Sequence, residues 1–170
     1  MIIKNARVFT EDNCFVYGDV SVEAGRFKEV PRTADNCKDD GNKCTWGKAT
    51  EEGSVKNTYK GNSDGKILDA SGLIMIPGLV DIHFHGCMGA DMCDGTVEAL
   101  DVITSYEASV GVTSVCPATM TIPRDELLCV MKNAGDYTYH GGAHLVGINM
   151  EGPFISPSKK GAQAAENIMH

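Results

Sequence analysis

His83 and His85 stand two residues apart in Leu79-Val80-Asp81-Ile82-His83-Phe84-His85, and an extended strand turns alternate residues to the same side. Leu79, Asp81, His83 and His85 then share one face, and Val80, Ile82 and Phe84 the other. Two imidazoles placed this way lie about 6–7 Å apart along the strand and can converge on one divalent ion through neutral ring nitrogens. The segment from His144 to Glu151 repeats the pattern. Val146, Ile148 and Met150 form an apolar side, while Gly147, Asn149 and Glu151 form the opposite one, and Glu151 falls at the end, just before Gly152-Pro153. A carboxylate in that position is a candidate third ligand, able to bridge two ions. Two histidines and a glutamate suit Zn²⁺, Fe²⁺, Mn²⁺ or Co²⁺ and do not choose among them. The alternative is a pair of hydrogen-bonded core histidines beside a solvated loop carboxylate. Burying unpaired imidazoles inside a parallel sheet costs free energy, which favours the metal reading.

Other chemistry-bearing residues signal less. His140 and His144 have the i, i+4 spacing of a helical metal pair, but Gly141-Gly142 between them disfavours a helix. Lys159-Lys160 is either a solvated surface pair or part of a field that attracts an anionic substrate. Cys87, Asp91, Cys93 and Asp94 occupy the loop after the first histidine strand, where they can line a site without ligating. Cys37 and Cys44 lack a second pair to complete a four-ligand zinc site.

The elements that must position these residues follow from periodicity. Short β-branched and aromatic runs over residues 2–9 and 15–30, broken at Gly18 and Gly25, predict a small antiparallel β unit. Residues 35–66 are dominated by Gly, Asn, Lys, Asp, Glu, Ser and Thr, and read as a mobile polar insertion too poor in apolar surface to offset its ordering entropy. Order resumes at Ile67, and Pro77-Gly78 hands the chain to the histidine strand. Val97, Leu100, Ile103 and Val110 then recur at helical spacing, with Thr96 as N-cap and Gly111 past the end. Residues 113–119 predict a second strand. A second helix follows, with Pro123 in its first turn, Asp125 and Glu126 at its positive end, and Leu127, Leu128, Met131 and Ala134 on its apolar face. Residues 144–151 predict a third strand. Strand-helix-strand-helix-strand is the pattern of parallel βαβ units, which close into barrels or open into doubly wound sheets. In a barrel the apolar sides pack on helices, and the histidines face inward near the strand's C-terminal end.

Composition narrows the function classes. The chain has 170 residues and a formal net charge of −8, with a pI near 5.0. No basic cluster is present to track a phosphate backbone or an anionic membrane, so neither nucleic acid nor membrane is expected as a partner. No apolar run approaches 18 residues and no secretory h-region follows Met1, so a cytoplasmic location is expected. The seven cysteines are odd in number and, without a secretion signal, read as reduced thiols.

The stretch Pro77-Gly78-Leu79-Val80-Asp81-Ile82-His83-Phe84-His85-Gly86 resembles the metal-binding first strand of the amidohydrolase superfamily. Met150-Glu151-Gly152-Pro153-Phe154-Ile155-Ser156-Pro157-Ser158-Lys159-Lys160-Gly161-Ala162 narrows the resemblance to the N-acetylglucosamine-6-phosphate deacetylases. It covers Met1 to about Arg32 and Ile67 to the end. It implies an α/β fold: the start of a (β/α)8 metallo-dependent hydrolase barrel (residues 77–170), preceded by a small β-sandwich portion within residues 1–76, with the chain truncated after about three barrel strands. It further implies His83, His85 and Glu151 as metal ligands for one or two ions, Zn or Fe, and Ala162 as a backbone contact to a phosphorylated amino-sugar substrate. A homodimer and hydrolysis of the substrate's acetamide are also implied. The family's remaining histidine ligands and its general acid/base Asp are expected beyond residue 170. No catalytic residue is therefore expected within the chain, and little or no activity from it alone. Open strand edges predict aggregation unless a missing part is supplied. Two other readings stay open: a cyclic-amide hydrolase of the dihydroorotase kind, against which the loop from Glu151 to Ala162 argues, and a non-catalytic metal-binding or assembly module.

Overall fold

In the computed structural model the described residues are 1–32 and 67–169. The polar stretch expected as an insertion over 35–66, with Cys37 and Cys44, lies outside them. The chain divides into two compact units, Met1–Pro77 and Gly78–His170.

The first unit is one five-stranded mixed sheet. β1 (Ile2–Phe9) is its centre, β2 (Phe15–Glu23) runs antiparallel to it, and β3 (Arg26–Glu29) continues that side. β4 (Ile67–Asp69) and β5 (Ile74–Met75) pair parallel with β1. Ala6, Val8, Val20 and Ala70 make its core, with Ile3, Val22, Leu73 and Met75 packed against them. The antiparallel unit expected over residues 2–30 forms as β1–β2–β3. β4 and β5, from the later segment, add parallel to β1 and make the whole sheet mixed. The described residues of this unit form one sheet, with no second sheet of a sandwich among them.

The second unit alternates strand and helix. β6 (Leu79–Asp81) leads through the two-residue strands β7 (Gly86–Cys87) and β8 (Ala90–Asp91), and a 3₁₀ turn at Met92–Asp94, into helix α1 (Val97–Ser109). Thr96 caps α1 by accepting the Ala99 N–H, satisfying one orphan donor. Leu100, Ile103, Thr104 and Glu107 form its buried stripe. Gly111, at φ +94°, takes the left-handed turn after the helix, where a side chain would be strained. β9 (Val112–Val115) and β10 (Ala118–Thr119) follow, then α2 (Arg124–Asp136), β11 (His144–Leu145) and β12 (Asn149–Met150). β6, β9 and β11 form one parallel sheet with β9 in the middle, and β10 pairs parallel with β12.

The periodic segments are shorter than their patterns. The run from Leu79 to His85 is strand only to Asp81, so both histidines lie just past the strand's end. The expected strands 113–119 and 144–151 each break in two, with Cys116-Pro117 and Val146-Gly147-Ile148 interrupting the ladder. α2 runs through Gly135 to Asp136, and Pro123 is its cap residue. Val80, Ile82, Val146 and Met150, expected beneath helices, are exposed. The helices pack mainly over β9 and the 86–94 region, and β11 meets them through Leu145, while Leu79 and Val80 of the edge strand β6 are exposed.

Two cores hold this unit. Met92, Leu100 and Val130 pack with Ile122, Ala134, Leu145 and Ile148. Val112, Val115 and Ala143 pack with Phe84 and Leu145. A polar tie joins α1 to the connection before β11: Tyr137 OH donates to Asp101 Oδ1 at 2.7 Å, and His140 Nδ1 lies 2.8 Å from the same oxygen. His144 instead stacks on Tyr139 at 4.2 Å, so the two histidines spaced i, i+4 serve separate contacts.

Candidate metal centre

Backbone bonds fix where the β6 extension ends. Cys116 N–H donates to Asp81 O at 2.8 Å, Ala118 N–H donates to Phe84 O, and Met92 N–H donates to His85 O at 2.8 Å. The Asp81 carboxylate accepts the His83 N–H at 3.0 Å, tightening the turn that lifts His83 out of the strand. Gly86 must be glycine, because a Cβ there would stand 2.0 Å from the Ala90 carbonyl oxygen. These ties orient two imidazoles whose rings meet edge to face at 5.5 Å.

Glu151 arrives from the end of β12. Its Oε2 lies 3.3 Å from His85 Nε2 and 3.8 Å from His83 Nε2, and one ligand atom from each of the three residues falls within 4.8 Å of the others. Charge-assisted N–H···O bonds close to about 2.7–2.9 Å, so these separations are too wide for strong ion-pair hydrogen bonds. They match donors arranged around an ion instead: atoms at about 2.0–2.2 Å from a tetrahedral metal stand about 3.3 Å apart. Among the described residues His85 Nδ1 is buried with no hydrogen-bond partner, the outer contact that usually orients a metal-bound imidazole. His83 has one, since Asn149 Nδ2 sits 3.0 Å from its Nδ1 and also donates to Ile82 O at 2.9 Å. Two imidazoles and one carboxylate form a borderline donor set that fits a divalent transition ion.

The remaining sequence candidates fall outside this trio. Ala162 sits on an exposed turn between Gly161 and the buried Gln163. Lys160 Nζ donates to the Gln163 carbonyl at 2.8 Å, so this lysine braces its own loop, while Lys159 is exposed. Asp91 and Asp94 complete a capping box around the 3₁₀ turn. Cys93 Sγ accepts the Met120 N–H at 3.2 Å, and burial pushes both the Cys93 and the Cys87 thiols up. Periodicity gave no role to Asn149, Thr121 or Gln163, although parity had already turned Asn149 to the same side as Glu151.

No family model matches the chain. It is 34% identical over 140 residues to the N-acetylglucosamine-6-phosphate deacetylase of Bacillus subtilis, a match covering 70% of this chain and 35% of that protein. It is 33% identical over 95 residues to the N-acetylgalactosamine-6-phosphate deacetylase of Escherichia coli O157:H7, covering 55% of this chain and 25% of that one. The crystal structure of N-acetylglucosamine-6-phosphate deacetylase from Pasteurella multocida superposes with a TM-score of 0.72 at 21% identity, over 99% of this chain and 38% of that one. The chain therefore spans about a third of the length of the curated relatives it matches. By sequence the chain is a homologue of the N-acetylglucosamine-6-phosphate deacetylases, and its fold matches theirs.

Proposed function

We propose that the chain forms the opening βα units of a (β/α)8 metallo-dependent hydrolase, and that the protein hydrolyses the acetamide of N-acetylglucosamine 6-phosphate to glucosamine 6-phosphate and acetate. The observation that carries this reading is the convergence of His83, His85 and Glu151 at strand ends, in a chain similar to deacetylases of 6-phosphorylated amino sugars. β6, β9 and β11 neighbour one another in sequence order, as successive strands of a barrel do.

His83, His85 and Glu151 would hold one or two ions, Zn²⁺ or Fe²⁺. A bound divalent ion supplies polarisation of the amide carbonyl and a water acidified towards neutrality. The chain's own part is to hold the three donors in place and to offer the turn at Ala162 as a backbone contact to the sugar. Further ligands and the Asp that moves the proton lie outside residues 1–170 in this reading, so the chain alone is inactive. The whole protein acts as a cytoplasmic homodimer.

The test is acetate release from N-acetylglucosamine 6-phosphate and from its galactosamine epimer, with Zn²⁺ or Fe²⁺ supplied. It compares the chain alone with the chain mixed with the part of the Bacillus subtilis relative that it does not match. The expected result is no turnover alone and turnover on mixing, abolished by Glu151→Ala. Full activity from the chain alone would refute its incompleteness. Turnover of dihydroorotate in place of the amino sugar would refute the substrate.

A further inference from the structure

The geometry points to Thr121 as a positioning residue that fixes Glu151 and the turn at Ala162 to one another. The inference rests on reading His83, His85 and Glu151 as metal ligands. The β10–β12 ladder ends at the pair Thr119 and Met150. One residue later, the main chain carrying the Glu151 carboxylate has left the sheet, and a side chain takes over from the ladder: the Thr121 hydroxyl donates to Glu151 O at 3.1 Å.

The other two polar groups of Thr121 face the loop that follows. Its N–H donates to Gln163 Oε1 at 2.7 Å, and its carbonyl accepts from Asn167 Nδ2 at 3.1 Å. Thr121 is 2% exposed and Gln163 5% exposed, so water does not compete for these bonds. The Gln163 amide nitrogen turns inward as well, onto Met120 Sδ at 3.7 Å. Both ends of that side chain are thus engaged on residues 120 and 121, and the neighbouring Ala162 is held by a buried strut.

Gly152 reports the closeness of the fit. A Cβ there would stand 2.1 Å from Thr121 Oγ1, so the chain leaving Glu151 runs against the Thr121 side chain with no room to spare. One residue therefore sets the spacing between a metal-binding carboxylate and a substrate-facing turn. Such outer contacts govern ligand orientation, and losing one commonly costs tenfold to a hundredfold in metal affinity.

The experiment is Zn²⁺ binding to the full 170-residue chain by competition with a chromophoric chelator, with amide hydrogen exchange measured over residues 151–163. Thr121→Val keeps the shape and removes the donor, and Thr121→Ser keeps the donor. Expected are a Zn²⁺ affinity lowered about tenfold or more in Thr121→Val and restored to within about threefold by Thr121→Ser, with faster exchange at 151–155 and at 160–163 together in Thr121→Val. Wild-type affinity in Thr121→Val, while His85→Ala and Glu151→Ala lose binding, overturns the inference and leaves the metal site standing. Undiminished binding in His85→Ala and Glu151→Ala overturns both. A purely structural threonine would lower thermal stability without moving the Zn²⁺ affinity, which also overturns it. If Thr121→Val does not fold, Gln163→Met and Gln163→Glu read the strut from its other end. Weaker binding in the first and recovery in the second support it, and equal affinities overturn it.

Discussion

Replacing Gly152 with alanine tests the packing behind Glu151 most directly. Gly152 has φ +86°, and placing an L side chain in such backbone costs about 1–2 kcal/mol. The new methyl would meet Thr121 Oγ1 at 2.1 Å and Thr121 Cβ at 3.0 Å, an overlap of the kind that adds about 1–3 kcal/mol in a packed interior. Gly152→Ala is therefore expected to cost about 2–5 kcal/mol. Thr121→Ala removes the oxygen in the way but leaves the backbone term and the 3.0 Å approach to the residue 121 Cβ, so the same substitution made on that background should cost less, about 1–3 kcal/mol. The assay is urea unfolding followed by far-ultraviolet circular dichroism. Both described α-helices lie in the Gly78–His170 unit, so the helical signal reports the unit that carries the mutation. Equal costs in the two backgrounds, within about 0.5 kcal/mol, would refute the argument, because independent sites add and touching ones do not.

Three further outcomes are expected. Leu100 is 1% exposed at the centre of its cluster, and Leu100→Ala should cost about 2–5 kcal/mol in the same unfolding assay. Glu107 is 8% exposed on α1, and burial, with the Asp81 charge second, pushes its carboxyl up. A raised carboxyl pKa makes the native state bind more protons, so stability falls as pH rises from the unfolded value near 4.3 through the folded one. Glu107→Gln should remove that slope from a plot of melting temperature against pH and leave the variant more stable at neutral pH. Asp101 is the opposite case: the Tyr137 hydroxyl above all, opposed by burial and helped by His140, holds its carboxyl below the usual range. Its stabilisation is present above about pH 3.9 and is lost as pH falls through the lowered native value, so Asp101→Asn should flatten the acid limb of the same plot.

What the sequence made legible was local. Thr96, the helical spacing of Val97, Leu100, Ile103 and Val110, and Gly111 mark α1 from cap to turn, and the helix forms where they say, although Leu100 and Ile103 are buried while Val97 and Val110 are exposed. The alternation from Leu79 to His85 correctly turns the histidines to one side, but periodicity carries no signal for the tie from Cys116 N–H to Asp81 O that closes the short β6 strand. The single sheet of the first unit was illegible for a related reason, since alternation shows that a face is apolar and not what covers it. Asn149, Thr121 and Gln163 could not be assigned roles because their partners lie far away in the chain. The Asn149–His83 contact spans 66 residues and the Thr121–Gln163 bond spans 42.

The distance along the chain between the histidines and Glu151 also has a kinetic consequence. Joining segments separated by about 66 residues costs on the order of 4 kcal/mol of loop-closure entropy, and β6, β9 and β11 must already be aligned before the three donor atoms meet. The centre is therefore expected to assemble late on the folding pathway, after the helices and their packing. A contact absent from the transition state changes the rate of escape from the native state and leaves the rate of entry alone. Zn²⁺ added to the chain should accordingly slow unfolding in proportion to its occupancy and leave the refolding rate unchanged, which stopped-flow denaturant jumps with and without the ion would read directly.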